Sequence, residues 1–181
     1  MPRKNPRSVS LKGKPDNQQE RPETIGWIVG FTDGEGCFSV SMIRNSTTST
    51  GWQVFPEFVI TQGESSRSVL EMTKEFLDCG NIFVNRRNDN HHEHLMRYCV
   101  RSRKDLKEKI IPFFQKHPLK TTKQLNFQLF CKIIGLMDQN EHMNMRGLRK
   151  IANIISKMNR KVRPAFLESS ETTRQTSSKA R

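Results

Sequence analysis

Acidic residues are scarce in this chain: 18 Asp and Glu stand against 31 Lys and Arg over 181 residues, leaving a net charge of +13. Such an excess points to a polyanionic partner. Long hydrophobic runs are missing. No stretch approaches the roughly 18 consecutive apolar residues of a membrane span, and the opening MPRKNPRSVSLKGKPDN lacks the apolar centre of a secretory signal. Neither a membrane protein nor a secreted one is expected. Cysteine is sparse as well. Cys37, Cys79, Cys99 and Cys131 lie 42, 20 and 32 residues apart, with no C-x-x-C pair. A disulfide framework or a zinc site is a poor fit to that spacing, so the four are read as reduced thiols.

Hydrophobic residues make up 34% of the chain, enough to build a core for one compact domain or at most two very small ones. The ends do not share in it. Basic residues outnumber acidic ones six to three over 1–24 and six to two over 160–181, and both stretches are nearly free of aromatic and branched apolar side chains. They bury too little to offset chain entropy. The expected organisation is a flexible basic N-terminal arm over 1–24, a folded domain over 25–160 and a flexible basic C-terminal tail over 161–181. The arms read equally as phosphate-attracting tails or as solubilising ends.

Within the domain, Thr24 to Phe31 has helix-compatible apolar spacing and runs into Asp33-Gly34-Glu35-Gly36, which predicts a short buried helix. Phe38, Val40 and Met42 alternate with Ser39, Ser41 and Ile43. Val54, Phe58 and Ile60 alternate with Phe55, Glu57, Val59 and Thr61. These are two half-buried strands joined by the polar linker Asn45 to Gly51. Ser65 or Ser66 is a plausible N-cap for a helix bearing Val69, Met72, Phe76 and Leu77, which Cys79-Gly80 ends. A second strand pair follows, Ile82 to Arg87 and Glu93 to Arg103, across the turn Asn88-Asp89-Asn90. Met96, Tyr98 and Val100 then share an apolar face opposite the basic face of Arg97, Cys99 and Arg101.

The remainder reads as helical. Lys104 to Ile111 forms a short helix that Pro112 limits. Thr121-x-x-Gln124 resembles a capping box opening a helix with Leu125, Leu129, Phe130, Ile133 and Met137 inward. Leu148, Ile151, Ile154, Ile155 and Met158 mark the last helix. Helix, two strands, helix, two strands and further helices make an α+β domain with an antiparallel sheet.

Gly26, Gly30 and Gly34 recur every four residues and line one face of the first helix, although each costs about 0.5–1 kcal/mol relative to Ala. Close backbone contact with another helix offsets that cost, and the natural partner is the same helix of a second copy. Asp33 and Glu35 fall at the end of this helix, where the backbone dipole is already negative and disfavours them. A divalent cation resolves the conflict. Glu35 with the backbone carbonyl of Gly34 beside it suits Mg²⁺, which keeps several waters and binds phosphate through the rest of its shell.

The string Trp27-Ile28-Val29-Gly30-Phe31-Thr32-Asp33-Gly34-Glu35-Gly36-Cys37-Phe38 resembles the LAGLIDADG motif of homing endonucleases, with Glu35 where the metal-binding acid sits. Phe58-Val59-Ile60-Thr61-Gln62 is similar to that family's strand ending in an active-site Gln. His117-Pro118-Leu119-Lys120-Thr121-Thr122-Lys123, with Phe127 and Phe130 after it, resembles its lysine-bearing segment. Matches run from about Gly26 to Asn159. The resemblance implies the αββαββα fold, with a saddle-shaped antiparallel sheet laid on DNA. Only one motif is visible, and single-motif members act as homodimers on near-palindromic targets. Self-association through Gly26, Gly30 and Gly34, with Asp33 stabilising the helix end and interface, is therefore expected.

By the same resemblance, the reaction is Mg²⁺-dependent hydrolysis of one phosphodiester on each strand of double-stranded DNA. Glu35 holds the metal, Gln62 positions water or a metal ligand, and Lys123, with Lys120 as second choice, stabilises the phosphorane-like charge. Arg67 is a weaker candidate, because the expected Arg position four residues after the Gln holds Ser66. The solvent faces of the strands supply Ser39, Ser41, Gln53, Glu57, Thr61, Arg86, Arg87, Arg97 and Arg101 for DNA reading, each Arg serving a base or a phosphate equally well. An intron RNA maturase with the same fold is the alternative, and a catalytically idle DNA-binding protein the third reading. An organelle, chloroplast or mitochondrion, is the expected location. His91-His92-Glu93-His94 lacks metal-ligand spacing and is set aside, as is Cys37 as a nucleophile.

Overall fold

The computed structural model describes residues 20–86, 93–158 and 164–168. Helix α1 (Glu20–Glu35) leads without a loop into strand β1 (Gly36–Arg44), which β2 (Trp52–Gly63) follows. After a 3₁₀ turn (Glu64–Ser66) come α2 (Arg67–Leu77), β3 (Asn81–Asn85) and β4 (Leu95–Val100). Helices α3 (Arg103–Asp105) and α4 (Ile111–Lys116) flank a π-turn (Leu106–Ile110), and α5 (Lys123–Asp138) and α6 (Met145–Ile155) complete the order. The strands form one antiparallel sheet in the order β1-β2-β4-β3, so the fold is the expected α+β arrangement.

Helix α1 runs four residues past Phe31 and carries Asp33, Gly34 and Glu35 inside it. What ends it is Gly36. A Cβ there would stand 2.7 Å from the Thr32 Cγ2 and 2.9 Å from the Thr32 carbonyl oxygen, so only glycine lets the chain turn directly from helix to strand. The helix also begins at Glu20, inside the stretch expected to be a flexible arm. Its Ile28 and Thr32 are fully buried under the sheet.

The core fills the helix side of the sheet around Phe38. Its ring lies 4.9 Å from Phe58, 5.4 Å from Phe114, 5.0 Å from Phe127 and 5.5 Å from Phe130, centroid to centroid. These rings come from β1, β2, α4 and α5, and burying each contributes about 1.5–3 kcal/mol. Tyr98, also fully buried, donates its hydroxyl hydrogen to the Cys79 carbonyl at 3.0 Å, and burial pushes its phenol far above the ordinary range.

Several local expectations change. Pro112 does not end the helix after β4, which continues to Lys116. The π-turn just before the proline widens the coil by one residue, which accommodates the missing N–H and the ring. Ser66 precedes α2 but its side chain makes no cap bond. The Ser65 N–H instead donates to the Glu93 carboxylate at 2.9 Å. Helix α2 ends on Asp78, a non-glycine residue at φ 50°, with Gly80 at φ 77°. No reciprocal capping box opens α5: the Gln124 side-chain oxygen accepts from the Leu119 N–H at 3.1 Å. Leu125, expected inward, is 61% exposed.

Beyond position 160, in the stretch expected to be a flexible tail, residues 165–168 form a helical turn. Phe166 is 1% exposed and meets Trp52 edge-on at 5.4 Å. One aromatic residue without periodic neighbours was too weak a signal to extend the domain. Arg87, the Asn88-Asp89-Asn90 turn, His91 and His92 lie outside the described residues.

Candidate active site

Two segments 85 residues or more apart in sequence meet at the C-terminal end of α1. Lys123, first residue of α5, donates through Nζ to the Thr32 carbonyl at 2.9 Å and the Gly34 carbonyl at 3.1 Å. The last carbonyls of a helix have no partner within it and carry its negative dipole end, so an ammonium group satisfies both. Burial lowers the Lys123 pKa, against the opposing pull of Cys37, Asp33 and Glu35. Glu35, exposed at the helix end, thus lies within electrostatic reach of Lys123.

Asp33 faces its own chain. Its Oδ2 accepts the Lys120 N–H at 2.6 Å, and its Oδ1 accepts the Thr121 N–H at 3.2 Å and the Thr121 hydroxyl at 2.7 Å. Burial raises its pKa, but these donors and the charge of Lys123 outweigh that and leave it below the ordinary carboxylate value. The carboxylate therefore fastens the segment before α5 to α1. Lys120 takes part through its backbone, and the residue is otherwise exposed.

Gln62 sits near the end of β2, two residues beyond Ile60, which pairs with Gly36 at the start of β1. It is half-buried and continues the alternation of Phe58 and Ile60 toward the end of α1. Arg67 is not gathered in. Its guanidinium pairs with Glu71 one turn along α2 at 2.7 Å, and that bond raises its pKa. Cys37 opens the outer face of β1, where burial pushes its thiol up despite the nearby Lys123. Among the described residues, no three His, Cys, Asp or Glu side chains gather into a metal-holding group.

The glycine face is open. A Cβ built at Gly26, Gly30 or Gly34 would meet nothing within 4 Å, so no part of the described chain accounts for the three glycines. Beside them lies a shallow groove with Ile25, Val29 and Pro118 in its walls, and Trp27 is 41% exposed while stacked on Phe31 at 4.7 Å.

Away from the helices, the outer sheet face presents Ser39 and Ser41 on β1, Gln53, Glu57 and Thr61 on β2, and Arg97 on β4, with Arg101 just beyond. Arg86 is exposed and lies one residue beyond β3, so it has no place in the strand register. Arg87 lies outside the described residues. Glu57, 13% exposed, accepts Arg97 Nη2 on one oxygen at 3.1 Å and Arg101 Nε on the other at 2.6 Å. The Arg101 guanidinium lies 5.6 Å from the Phe55 ring centre and 5.3 Å from that of Phe83. Neither ring was among the candidate site residues, although strand alternation puts Phe55 on the same face as Gln53 and Glu57.

These features define a class. The family model described as LAGLIDADG endonuclease matches residues 28–134, from the middle of α1 to the body of α5. The chain belongs to that family. Probable intron-encoded endonuclease 2 of Neurospora crassa is 32% identical over 126 residues, covering 69% of this chain and 27% of that protein. The crystal structure of the homing endonuclease I-TnaI superposes with a TM-score of 0.71 at 38% identity, covering 82% of this chain and 96% of that one. I-SmaMI, bound to an uncleaved DNA target in the presence of calcium ions, superposes with a TM-score of 0.70 at 33% identity, over 78% of this chain and 47% of that one. The chain thus spans about a quarter to a third of the length of the Neurospora crassa relative and of two further intron-encoded endonucleases that it matches.

Proposed function

We propose that this protein is a site-specific homing DNA endonuclease that cuts both strands of a long, near-palindromic duplex by metal-dependent phosphodiester hydrolysis. The observation that carries this reading is the closure of α5 onto the motif helix, where the Lys123 ammonium sits on the Thr32 and Gly34 carbonyls within electrostatic reach of Glu35. An exposed carboxylate and a half-buried ammonium at one helix end support this reading. The matched proteins are named as endonucleases, one of them bound to DNA, which favours this reading over the splicing-cofactor alternative.

Glu35 is a hard oxygen donor, and the Gly34 carbonyl keeps a second lone pair beside the one given to Lys123. One carboxylate, a carbonyl, waters and a phosphate form a donor set that suits Mg²⁺, so these residues fit a divalent ion held jointly with Glu35 of a second copy. When bound, the ion supplies charge neutralisation at the phosphate and an acidified water. Lys123 places a point positive charge where the phosphorane-like transition state gathers negative charge. Gln62 orients water from the end of β2. Lys120, whose backbone is committed to Asp33, and Arg67, paired with Glu71, stand as secondary candidates.

Homodimerisation through the open face of Gly26, Gly30 and Gly34 places two such sites about a two-fold axis, matching one cut on each strand. The outer face of the sheet lies in the major groove, and an organelle, chloroplast or mitochondrion, is the proposed home. Cleavage selection on a randomised near-palindromic library tests all of this together. Wild type with Mg²⁺ should enrich one long symmetric site, while EDTA and Glu35→Gln abolish cutting and Glu35→Gln still binds that site. Binding without any cutting under these conditions would sink the endonuclease reading.

A further inference from the structure

On the outer sheet face, the only acidic residue among the proposed DNA readers has each of its two oxygens engaged by an arginine. Glu57 is 13% exposed and spends Oε1 on Arg97 and Oε2 on Arg101, both of which remain more open to solvent than it is, at 35% and 42%. A carboxylate that read cytosine would need an outward-facing oxygen, and it would also face the phosphates. Glu57 instead lies beneath its two arginines and cancels one of their two charges.

The hold on Arg101 is specific in geometry. Glu57 takes the Nε edge, the Phe55 and Phe83 rings lie 5.6 and 5.3 Å from the guanidinium carbon, and the terminal Nη groups keep their donors. An arginine presented end-on offers two parallel N–H donors, which match the O6 and N7 acceptors of guanine. Held this way, the side chain loses less rotamer freedom on binding. Hydrogen bonding to Glu57 also keeps the guanidinium pKa above its ordinary value.

We propose that Glu57 is a positioning residue that touches no base and holds Arg101, clamped by Phe55 and Phe83, to read one guanine in each half of the DNA target; this rests on the DNA-cleaving reading above. Arg97 completes the triad as the second cation on the shared carboxylate. Ion pairs whose arginines stay open to solvent contribute little to folding, so conformational control of Arg101 is the larger consequence of the arrangement.

The test is base-preference profiling of the full chain on a randomised duplex library, with binding rather than cleavage as the readout and melting temperature as a folding check. Arg101→Lys keeps the charge but loses the paired donors, and should cut the guanine preference at one half-site position by at least about fivefold. Glu57→Gln should flatten that same position while raising non-specific affinity and steepening the salt dependence by close to one phosphate contact, a slope change of about 0.9. Phe83→Leu, a change at a ring that is 45% exposed, should weaken the same position and keeps the test available should Glu57→Gln fold poorly. Glu57→Gln flattening a different position would mean that Glu57 reads its own base, and an unchanged profile would remove the positioning role. A wild type that selects no sequence overturns the DNA reading and this inference with it.

Discussion

Replacing Lys123 with methionine removes the ammonium that closes α5 onto α1 and keeps the length and apolar character of the stem. Two carbonyls, those of Thr32 and Gly34, lose a charged donor at 2.9 and 3.1 Å. A hydrogen bond to a charged group is worth about 1.5–3 kcal/mol, and these carbonyls lie at a partly open helix end, so the lower value applies to the pair together. The dipole contact adds about 0.3–1 kcal/mol. Relief of the ammonium's desolvation works the other way, as the lowered pKa shows, and leaves a net loss of about 1.5–2 kcal/mol. For a domain of this size each kcal/mol moves the midpoint by about 2–4 °C, so Lys123→Met should melt about 3–8 °C below wild type, while Lys120→Met should stay within about 1 °C. Differential scanning calorimetry measures the first effect, and plasmid cleavage should show Lys123→Met inactive at temperatures where it is still folded. A Lys123→Met chain that melts with wild type would refute the closure argument, and one that cuts normally would refute the catalytic assignment.

Three further outcomes follow from the geometry. Asp33 has a folded pKa below the ordinary carboxylate value, so its contribution is present above that value and disappears as pH falls through the lower folded one. Asp33→Asn should therefore lower stability at pH 7 by about 1.5–3 kcal/mol and flatten the acid limb of the melting profile, and an unchanged acid limb would count against the three donors. Gly30→Ala meets open space in its own chain, so the monomer should gain about 0.5–1 kcal/mol while self-association weakens in sedimentation; a weaker monomer with intact association would reverse the interface assignment. Phe166→Ala should cost about 3–5 kcal/mol and alter Trp52 fluorescence, because its ring lies 5.4 Å from that indole; a change near zero would mean that residues 165–168 do not belong to the core.

Much of the fold was legible because the relevant signals are local. Alternation along Phe38 to Met42 and Val54 to Ile60 identifies β1 and β2, and the same alternation separates Glu57 and Thr61 from the core. Helix ends were harder. Gly36, rather than the glycines before it, stops α1, since the stop depends on the distance to Thr32 and not on glycine content. Pro112 reads as a terminator in any sequence, and only the π-turn before it explains why the helix goes on. Leu125 is apolar, yet it lies two residues before Phe127, about 200° away around the helix, and so faces away from the buried stripe of Phe127, Phe130, Ile134 and Met137.

The candidate site divides in the same way. The sequence by itself determined the α+β order, the charge that demands a polyanion, the glycine-spaced helix and its acidic end, since each depends on residue type and near spacing. Tertiary structure alone decided which lysine caps that helix, that Asp33 is spent on the backbone of Lys120 and Thr121, and that Glu57 is shared by two arginines. These are contacts between residues 40 to 91 positions apart, in which the length of a strand and the pitch of a helix set the outcome within an ångström. No spacing along the chain carries that information, because side chains so far apart meet only after the core has chosen how the elements lie on one another.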